Sequence, residues 1–177
     1  MNAKPINPSL AVTAQITAAD VAEIAAAGFK TIICNRPDGE TSDQTPFSAI
    51  KSAAETAGLS AHYLPTITGQ VSEADGRAFG EIMASVPHPV LAYCRSGTRS
   101  ATMWGLSQAG QLPADAILAA VHGAGYDLSA LKARFEAPKP APAAQSPSIG
   151  AGSEGDHQIV IIGGGSAGIA VASSLLA

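Results

Sequence analysis

The segment from Cys94 to Ser100, Cys-Arg-Ser-Gly-Thr-Arg-Ser, combines one thiol with two guanidinium groups and a glycine. It follows the apolar run 90–93 and precedes a helical pattern. A thiolate is the nucleophilic form of cysteine, and arginine charges and a helix N-terminus both stabilise it. Gly97 allows successive N–H groups to converge on one anion. We therefore predict that Cys94 is a nucleophile and that Arg99 binds the anionic group of a substrate.

The other polar residues of this segment are predicted to bind the substrate as well. Arg95 is expected to point outward and attract anions, while the hydroxyls of Ser96 and Thr98 add hydrogen-bond donors. Ser100 is expected to bind the thiolate and to cap the following helix. Two alternatives stay open, namely that Ser96 and Thr98 are ordinary loop residues and that the cysteine is a buried, inert one.

A second charged segment, Arg36-Pro37-Asp38, follows the apolar run 31–34. Strands of a parallel sheet end at the same edge, where open α/β proteins place their sites. Arg36 is therefore predicted to add positive charge near the cysteine, with Asp38 orienting it. The alternative is a solvated turn that contains a charge pair.

Short apolar runs and amphipathic helical patterns alternate along the chain up to residue 136. This alternation predicts an α/β fold with a central, mostly parallel sheet flanked by helices on both faces. The predicted strands are 10–12, 31–34, 61–64 and 90–93. The predicted helices are 18–27, 46–57, 72–85, 100–109, 113–122 and 128–136. Residues 1–136 are expected to form one catalytic domain.

The composition changes after Glu136. Residues 137–156 are rich in proline and alanine and predict a linker. Residues 157–177 read as an apolar strand, a glycine-rich turn and a helix. Gly163, Gly165 and Gly168 fit the spacing of a dinucleotide-binding turn. Because the acidic residue expected about 20 positions further on is absent, we predict an incomplete site that binds no cofactor in this chain.

The segment 94–100 resembles the active loop of single-domain rhodaneses. It is also similar to that of protein-tyrosine-phosphatase-like domains fused to beta-lactamase-like hydrolases, persulfide dioxygenases and sulfide:quinone oxidoreductases. The second resemblance covers about residues 6 to 135 and includes Gln15-Ile16, residues 32–40 and residues 62–65. It implies a phosphatase-like fold. The glycine-rich end resembles the start of flavin-dependent disulfide oxidoreductases, which implies a flavoprotein domain in cis and FAD in the full-length fusion.

Two reactions fit such a loop. Protein tyrosine phosphatases have five residues between the cysteine and the phosphate-binding arginine, whereas four separate Cys94 from Arg99 and Ser100 takes the arginine's place. Phosphatases also protonate their leaving group, yet residues 66–70 contain no acid. The remaining candidates for this acid are Asp38, Glu40, Glu73 and Asp75.

Sulfur transfer needs no such acid, because sulfite leaves thiosulfate as a stable anion. We therefore predict a sulfurtransferase in which Cys94 takes sulfur from thiosulfate or a persulfide and passes it to a thiol such as glutathione. The alternatives are an atypical phosphatase with a phosphocysteine intermediate and a non-catalytic module that senses anions or redox state.

The overall composition argues against several classes of partner and ligand. A net charge of −4 argues against general nucleic-acid binding. Two widely spaced cysteines fit a reducing cytoplasm, and the longest apolar runs are too short to span a membrane. The four histidines lack metal-ligand spacing, so no metal is expected.

Overall fold

The structure, a computed structural model, describes residues 2–136. The predicted linker 137–156 and the predicted dinucleotide-binding turn within 157–177 lie outside the described residues. At the centre is a five-stranded sheet with the order β1-β2-β5-β3-β4. Strands β2, β5, β3 and β4 are parallel, and β1 pairs with β2 in the antiparallel direction. The strands are β1 (Lys4–Asn7), β2 (Leu10–Thr13), β3 (Thr31–Cys34), β4 (Ser60–Tyr63) and β5 (Val90–Tyr93).

Helices cover both faces of this sheet, which confirms the predicted fold class. The helices are α1 (Asp20–Ala26), α2 (Phe47–Thr56), α3 (Glu73–Ser85), α4 (Thr98–Gln108), α5 (Ala114–Gly123) and α6 (Lys132–Glu136). A short 3₁₀ turn, Ser129–Leu131, precedes α6. No helix within residues 2–136 is long and apolar enough to cross a membrane.

Two hydrophobic clusters lie on opposite faces of the sheet, because successive strand side chains point to opposite sides. Ile33 and Ala92 belong to the cluster that contains residues of α3, α4 and α5. Leu91 and Tyr93 belong to the cluster that contains residues of α1 and α2. All four residues of β5 are buried, so the residue that follows this strand, Cys94, is attached to a well-packed part of the core.

The sequence did not predict β1, whose four residues are Lys-Pro-Ile-Asn. Pro5 lacks a backbone donor and is tolerated here because β1 lies at the sheet edge. The start of α4 also differs from the prediction. This helix begins at Thr98 rather than Ser100, with Gly97 as its N-cap.

Candidate functional site

Cys94 directly follows β5, the middle strand of the sheet, and is only 1% exposed. The Gly97 N–H donates a hydrogen bond to the Cys94 Sγ over 3.1 Å. Gly97 is also the N-cap of α4, so the positive end of that helix begins beside the sulfur. This arrangement places an N–H donor and the positive end of a helix beside Sγ and beside any anion that binds next to it.

The shape of the cysteine loop, residues 94–97, depends on Gly97 and on a distant tyrosine. Gly97 has a φ of 92°, in the left-handed region that favours glycine. A Cβ at this position would also collide with the Tyr126 hydroxyl. Tyr126 donates a hydrogen bond to the Ser96 carbonyl over 3.3 Å. No sequence pattern indicated Tyr126, which follows α5 and holds the loop from outside the sheet.

Arg99 is buried and held by two partners. Its Nη1 and Nη2 donate to the two carboxylate oxygens of Glu40 at 2.7 and 2.8 Å, and Nη1 also donates to the Thr66 carbonyl at 2.6 Å. Burial by itself lowers the pKa of Arg99, but the bond to Glu40 and the nearby Cys94 outweigh it and raise that pKa. The guanidinium is thus a fixed cation beside the sulfur, with its two-pronged contact made to Glu40.

Glu40 also binds Arg36, so one carboxylate serves two guanidinium groups. The Arg36 Nε donates to Glu40 Oε2 over 2.8 Å, and its other nitrogens donate to Gln15 at 2.9 Å and Thr41 at 3.1 Å. The hydrogen bond from Arg99, followed by that from Arg36, lowers the pKa of Glu40. The Arg36 and Arg99 side chains are 4% and 6% exposed. This arginine cluster, Arg36–Glu40–Arg99, therefore keeps one net positive charge buried beside Cys94.

The remaining predicted binding residues are divided between the surface and the interior. Arg95, Ser96 and Thr98 are exposed, and the hydroxyls of Ser96 and Thr98 are 3.1 Å apart. Ser100 is fully buried, and its hydroxyl has no hydrogen-bond partner among the residues that the structure describes. The helix cap predicted at Ser100 is wrong, because α4 begins two residues earlier and its cap is Gly97.

Asp38 has a local structural role. Its carboxylate accepts a hydrogen bond from the Phe47 N–H at 2.8 Å, at the start of α2. Its own N–H donates to the Tyr63 hydroxyl over 2.8 Å. The prediction that Asp38 orients Arg36 is wrong, since Glu40, Gln15 and Thr41 do so. The sequence singled out Glu40 only as a candidate acid, and no local pattern indicates its contact with Arg99.

A cavity of about 580 Å³ opens beside the cysteine loop. Its lining combines polar residues of the cysteine loop and of α4 with an apolar side formed by Val71, Leu128 and Leu131. None of the described lining residues is Asp, Glu or His. The lining residues are Thr68, Gly69, Val71, Arg95, Ser96, Thr98, Arg99, Thr102, Leu128, Leu131 and Arg134.

Comparison with known proteins places these features in a family. Residues 2–111 match the phosphatase-like domain of beta-lactamase hydrolase-like proteins. A beta-lactamase hydrolase-like protein from Agrobacterium fabrum is 41% identical over 109 residues, which are 62% of this chain and 25% of that protein. The chain thus spans about a quarter of the length of this curated relative.

Solved structures show the same fold. The crystal structure of a candidate phosphatase from Neisseria meningitidis is 36% identical with a TM-score of 0.70, and the match covers 77% of this chain and 97% of that one. The phosphotyrosine complex of TpbA from P. aeruginosa is 18% identical with a TM-score of 0.55, and covers 79% and 83% of the two chains. At 18% identity, the similarity to TpbA shows only that the two proteins share a fold.

These findings overturn the predicted sulfurtransferase activity, because the matching family and the similar structures are phosphatase-like. The prediction failed because it rested on the spacing between Cys94 and Arg99 and on the missing proton donor. The spacing limits the size of the bound group and the missing donor limits which group can leave, but neither specifies whether sulfur or phosphorus is attacked.

The family match ends at residue 111, so these findings lend no support to the predicted sulfide:quinone oxidoreductase fusion or to an FAD site at Gly163, Gly165 and Gly168. Within residues 2–136, the match, the sheet order and the cysteine at the end of the central strand agree. The chain belongs to the family of phosphatase-like domains of beta-lactamase hydrolase-like proteins.

Proposed function

We propose that this domain is a cysteine-dependent phosphatase that hydrolyses phosphomonoesters through a phosphocysteine intermediate. The observation that carries the proposal is the placement of Cys94 at the N-terminus of α4 beside a buried net positive charge. That positive charge attracts a phosphate anion, and loop N–H groups are suited to its oxygens. The membership of the chain in a phosphatase-like family supports the same reaction.

In the first step the Cys94 Sγ attacks phosphorus and the bond from phosphorus to the ester oxygen breaks, with its electron pair leaving on that oxygen. Arg99 and the loop N–H groups hold the non-bridging oxygens, where charge accumulates in the transition state. In the second step water attacks phosphorus and the electron pair of the S–P bond returns to Sγ. The water's protons end on the phosphate product or in solvent.

Arg99 has a specific role in this proposal. In the tyrosine phosphatases that the loop resembles, the arginine stands one position later, where this chain has Ser100. The Arg99 guanidinium interacts electrostatically with Cys94, so its charge acts on the sulfur despite the shorter spacing. Glu40 and the Thr66 carbonyl fix its orientation, so the guanidinium needs little reorganisation when the phosphate binds.

The test is hydrolysis of 4-nitrophenyl phosphate by the purified chain and by Cys94→Ser. We expect the variant to lose at least about a thousandfold in kcat, since it lacks the nucleophile. Rapid acid quenching followed by mass spectrometry should find a phosphoryl group on the peptide that contains Cys94.

Cys34→Ser is the matched control. Cys34 is also buried, but it donates a hydrogen bond to the Arg36 carbonyl at 3.2 Å from within β3, and burial raises its pKa. Serine preserves that donor, so activity should remain within about threefold of wild type. Equal activity of wild type and Cys94→Ser, or no hydrolysis by either, would overturn the proposal.

A further inference from the structure

Resting on the phosphatase activity proposed above, we propose that this site is selective for phosphates whose leaving group departs as a stable anion. Acyl phosphates and phosphates of acidic phenols belong to this class. Phosphates of ordinary alcohols, such as serine or sugar hydroxyls, do not, because an alkoxide leaves readily only when an acid protonates it.

Four carboxylates in the described part of the chain are each hydrogen-bonded to other groups. Glu40 binds Arg99 and Arg36, and Glu73 binds the Arg134 Nε at 2.7 Å. Asp38 accepts from the Phe47 N–H, and Asp75 accepts from the N–H and hydroxyl of Ser72 in a capping box at the start of α3. These are the four acids that the sequence offered as proton donors.

Arginine partners also keep protons off two of these groups, Glu40 and Glu73. Hydrogen bonds from Arg99 lower the pKa of Glu40, and a hydrogen bond from Arg134 lowers the pKa of Glu73. The exposed Asp43 lies in the field of Arg36 and Arg95, and a hydrogen bond from Thr41 is the largest cause of its lowered pKa. Carboxylates of this kind carry no proton to donate near neutral pH.

The Tyr126 phenol is the other acidic group that faces the loop. Its proton is used in the hydrogen bond to the Ser96 carbonyl. Burial, followed by the proximity of Cys94, raises the pKa of Tyr126 and makes it a weaker acid. Within the described part of the chain, the groups that line the cavity therefore bind anions but are not placed to protonate a leaving group.

The apolar side of the cavity indicates the shape of the leaving group. Val71, Leu128 and Leu131 face the same space as the loop residues, and about 580 Å³ is more than a phosphate alone requires. We infer that a ring or a hydrocarbon chain lies on this wall while its phosphate reaches Cys94. When the bond from phosphorus to oxygen breaks, the electron pair stays on the oxygen of the leaving group, which departs as a carboxylate or phenolate.

The experiment uses four phosphates that each carry one aromatic ring, so that binding to the apolar wall is similar throughout. Benzoyl phosphate, 4-nitrophenyl phosphate, phenyl phosphate and benzyl phosphate release progressively more basic oxygens. The measured quantity is kcat/KM, which reports the first chemical step even when hydrolysis of the phosphocysteine limits kcat. The rate of Cys94→Ser is subtracted for each substrate.

We expect kcat/KM to fall about tenfold for each unit increase in the pKa of the leaving group, and benzyl phosphate to react at least about a thousandfold more slowly than phenyl phosphate. A flat series, with benzyl phosphate within about tenfold of phenyl phosphate, would overturn this inference and leave the phosphatase proposal intact. Failure to hydrolyse even benzoyl and 4-nitrophenyl phosphate would instead remove the proposed function, and the selectivity with it.

Discussion

Two loops that contact the surroundings of the cysteine loop at the carboxyl edge of the sheet differ in what they contribute. Loop 35–46, after β3, brings charge: Arg36 and Glu40 join Arg99 in one buried cluster. Loop 64–72, after β4, brings a backbone carbonyl at Thr66 and small side chains that line the cavity. The charged loop orients Arg99, which we propose binds the phosphate, and the uncharged loop lines the cavity in which we propose that the leaving group lies.

The two loops supply charge and cavity lining, but neither supplies a group that is free to donate a proton. In loop 35–46 the Glu40 carboxylate binds Arg36 and Arg99, and residues 66–70 contain no acidic side chain. Substitutions in the first loop should therefore affect both stability and catalysis, whereas those near the second should have small effects.

The largest effect is expected for Glu40→Gln. It removes the negative charge from between two nearly buried guanidinium groups and should lower the free energy of unfolding by about 3 kcal/mol. Misplacement of Arg99 should reduce kcat/KM about a hundredfold. Urea denaturation and hydrolysis of 4-nitrophenyl phosphate measure the two effects. Glu55→Gln, in an exposed pair with Lys51, is the control and should change stability by less than about 0.5 kcal/mol. Equal losses in the two variants would show that the cluster is no stronger than a surface pair.

Gly97→Ala changes the cysteine loop without a substitution in loop 35–46 or loop 64–72. The left-handed φ and the collision with Tyr126 should together destabilise the domain by about 2 kcal/mol and reduce kcat at least tenfold. Gly28→Ala is a matched control, since Gly28 has the same φ of 92° but a methyl group added there would have nothing within 4 Å. Differential scanning calorimetry compares the variants. If both lose the same stability, the Tyr126 contact contributes nothing.

Acidification provides a weaker way to break the charged cluster. The pKa of Glu40 is lowered on folding from an ordinary value of 4.5. Its stabilising contribution is therefore complete above that ordinary value and is lost as the pH falls through the lowered one. The stability difference between wild type and Glu40→Gln should be constant near neutral pH and shrink in acid. Urea denaturation of both proteins from about pH 7 to about pH 3 tests this. A difference that grows in acid would show the opposite sign of coupling.

The smallest effect is expected for Glu73→Gln beside the uncharged loop. The Glu73–Arg134 pair is 46% and 33% exposed, so its loss should cost less than about 1 kcal/mol. Arg134 keeps its bond to the Val71 carbonyl, which preserves the cavity wall. The dependence of kcat/KM on the leaving group should stay unchanged. A flatter or steeper dependence in this variant would identify Glu73 as part of the chemistry.

Local sequence patterns predicted the strands that position the candidate site, but they did not predict the side-chain contacts within it. The bounds of β3 and β5 agree with the prediction, because each is a short apolar run buried on both faces. The strand β1 was missed, since an edge strand with a proline carries little pattern. The bond between Glu40 and Arg99 joins residues 59 positions apart, and no spacing rule reaches that far. Tyr126 is likewise remote from Ser96 in sequence.

Cys94, the proposed nucleophile, directly follows the middle strand of the sheet, with β2 on one side, β3 on the other and packed helices above and below. Backbone amides in such a position exchange with solvent mainly when the whole domain unfolds. Heating should therefore abolish activity and melt the domain in one transition, without a warm, folded but inactive form in between. The structure around Cys94 should therefore be lost only when the whole domain unfolds.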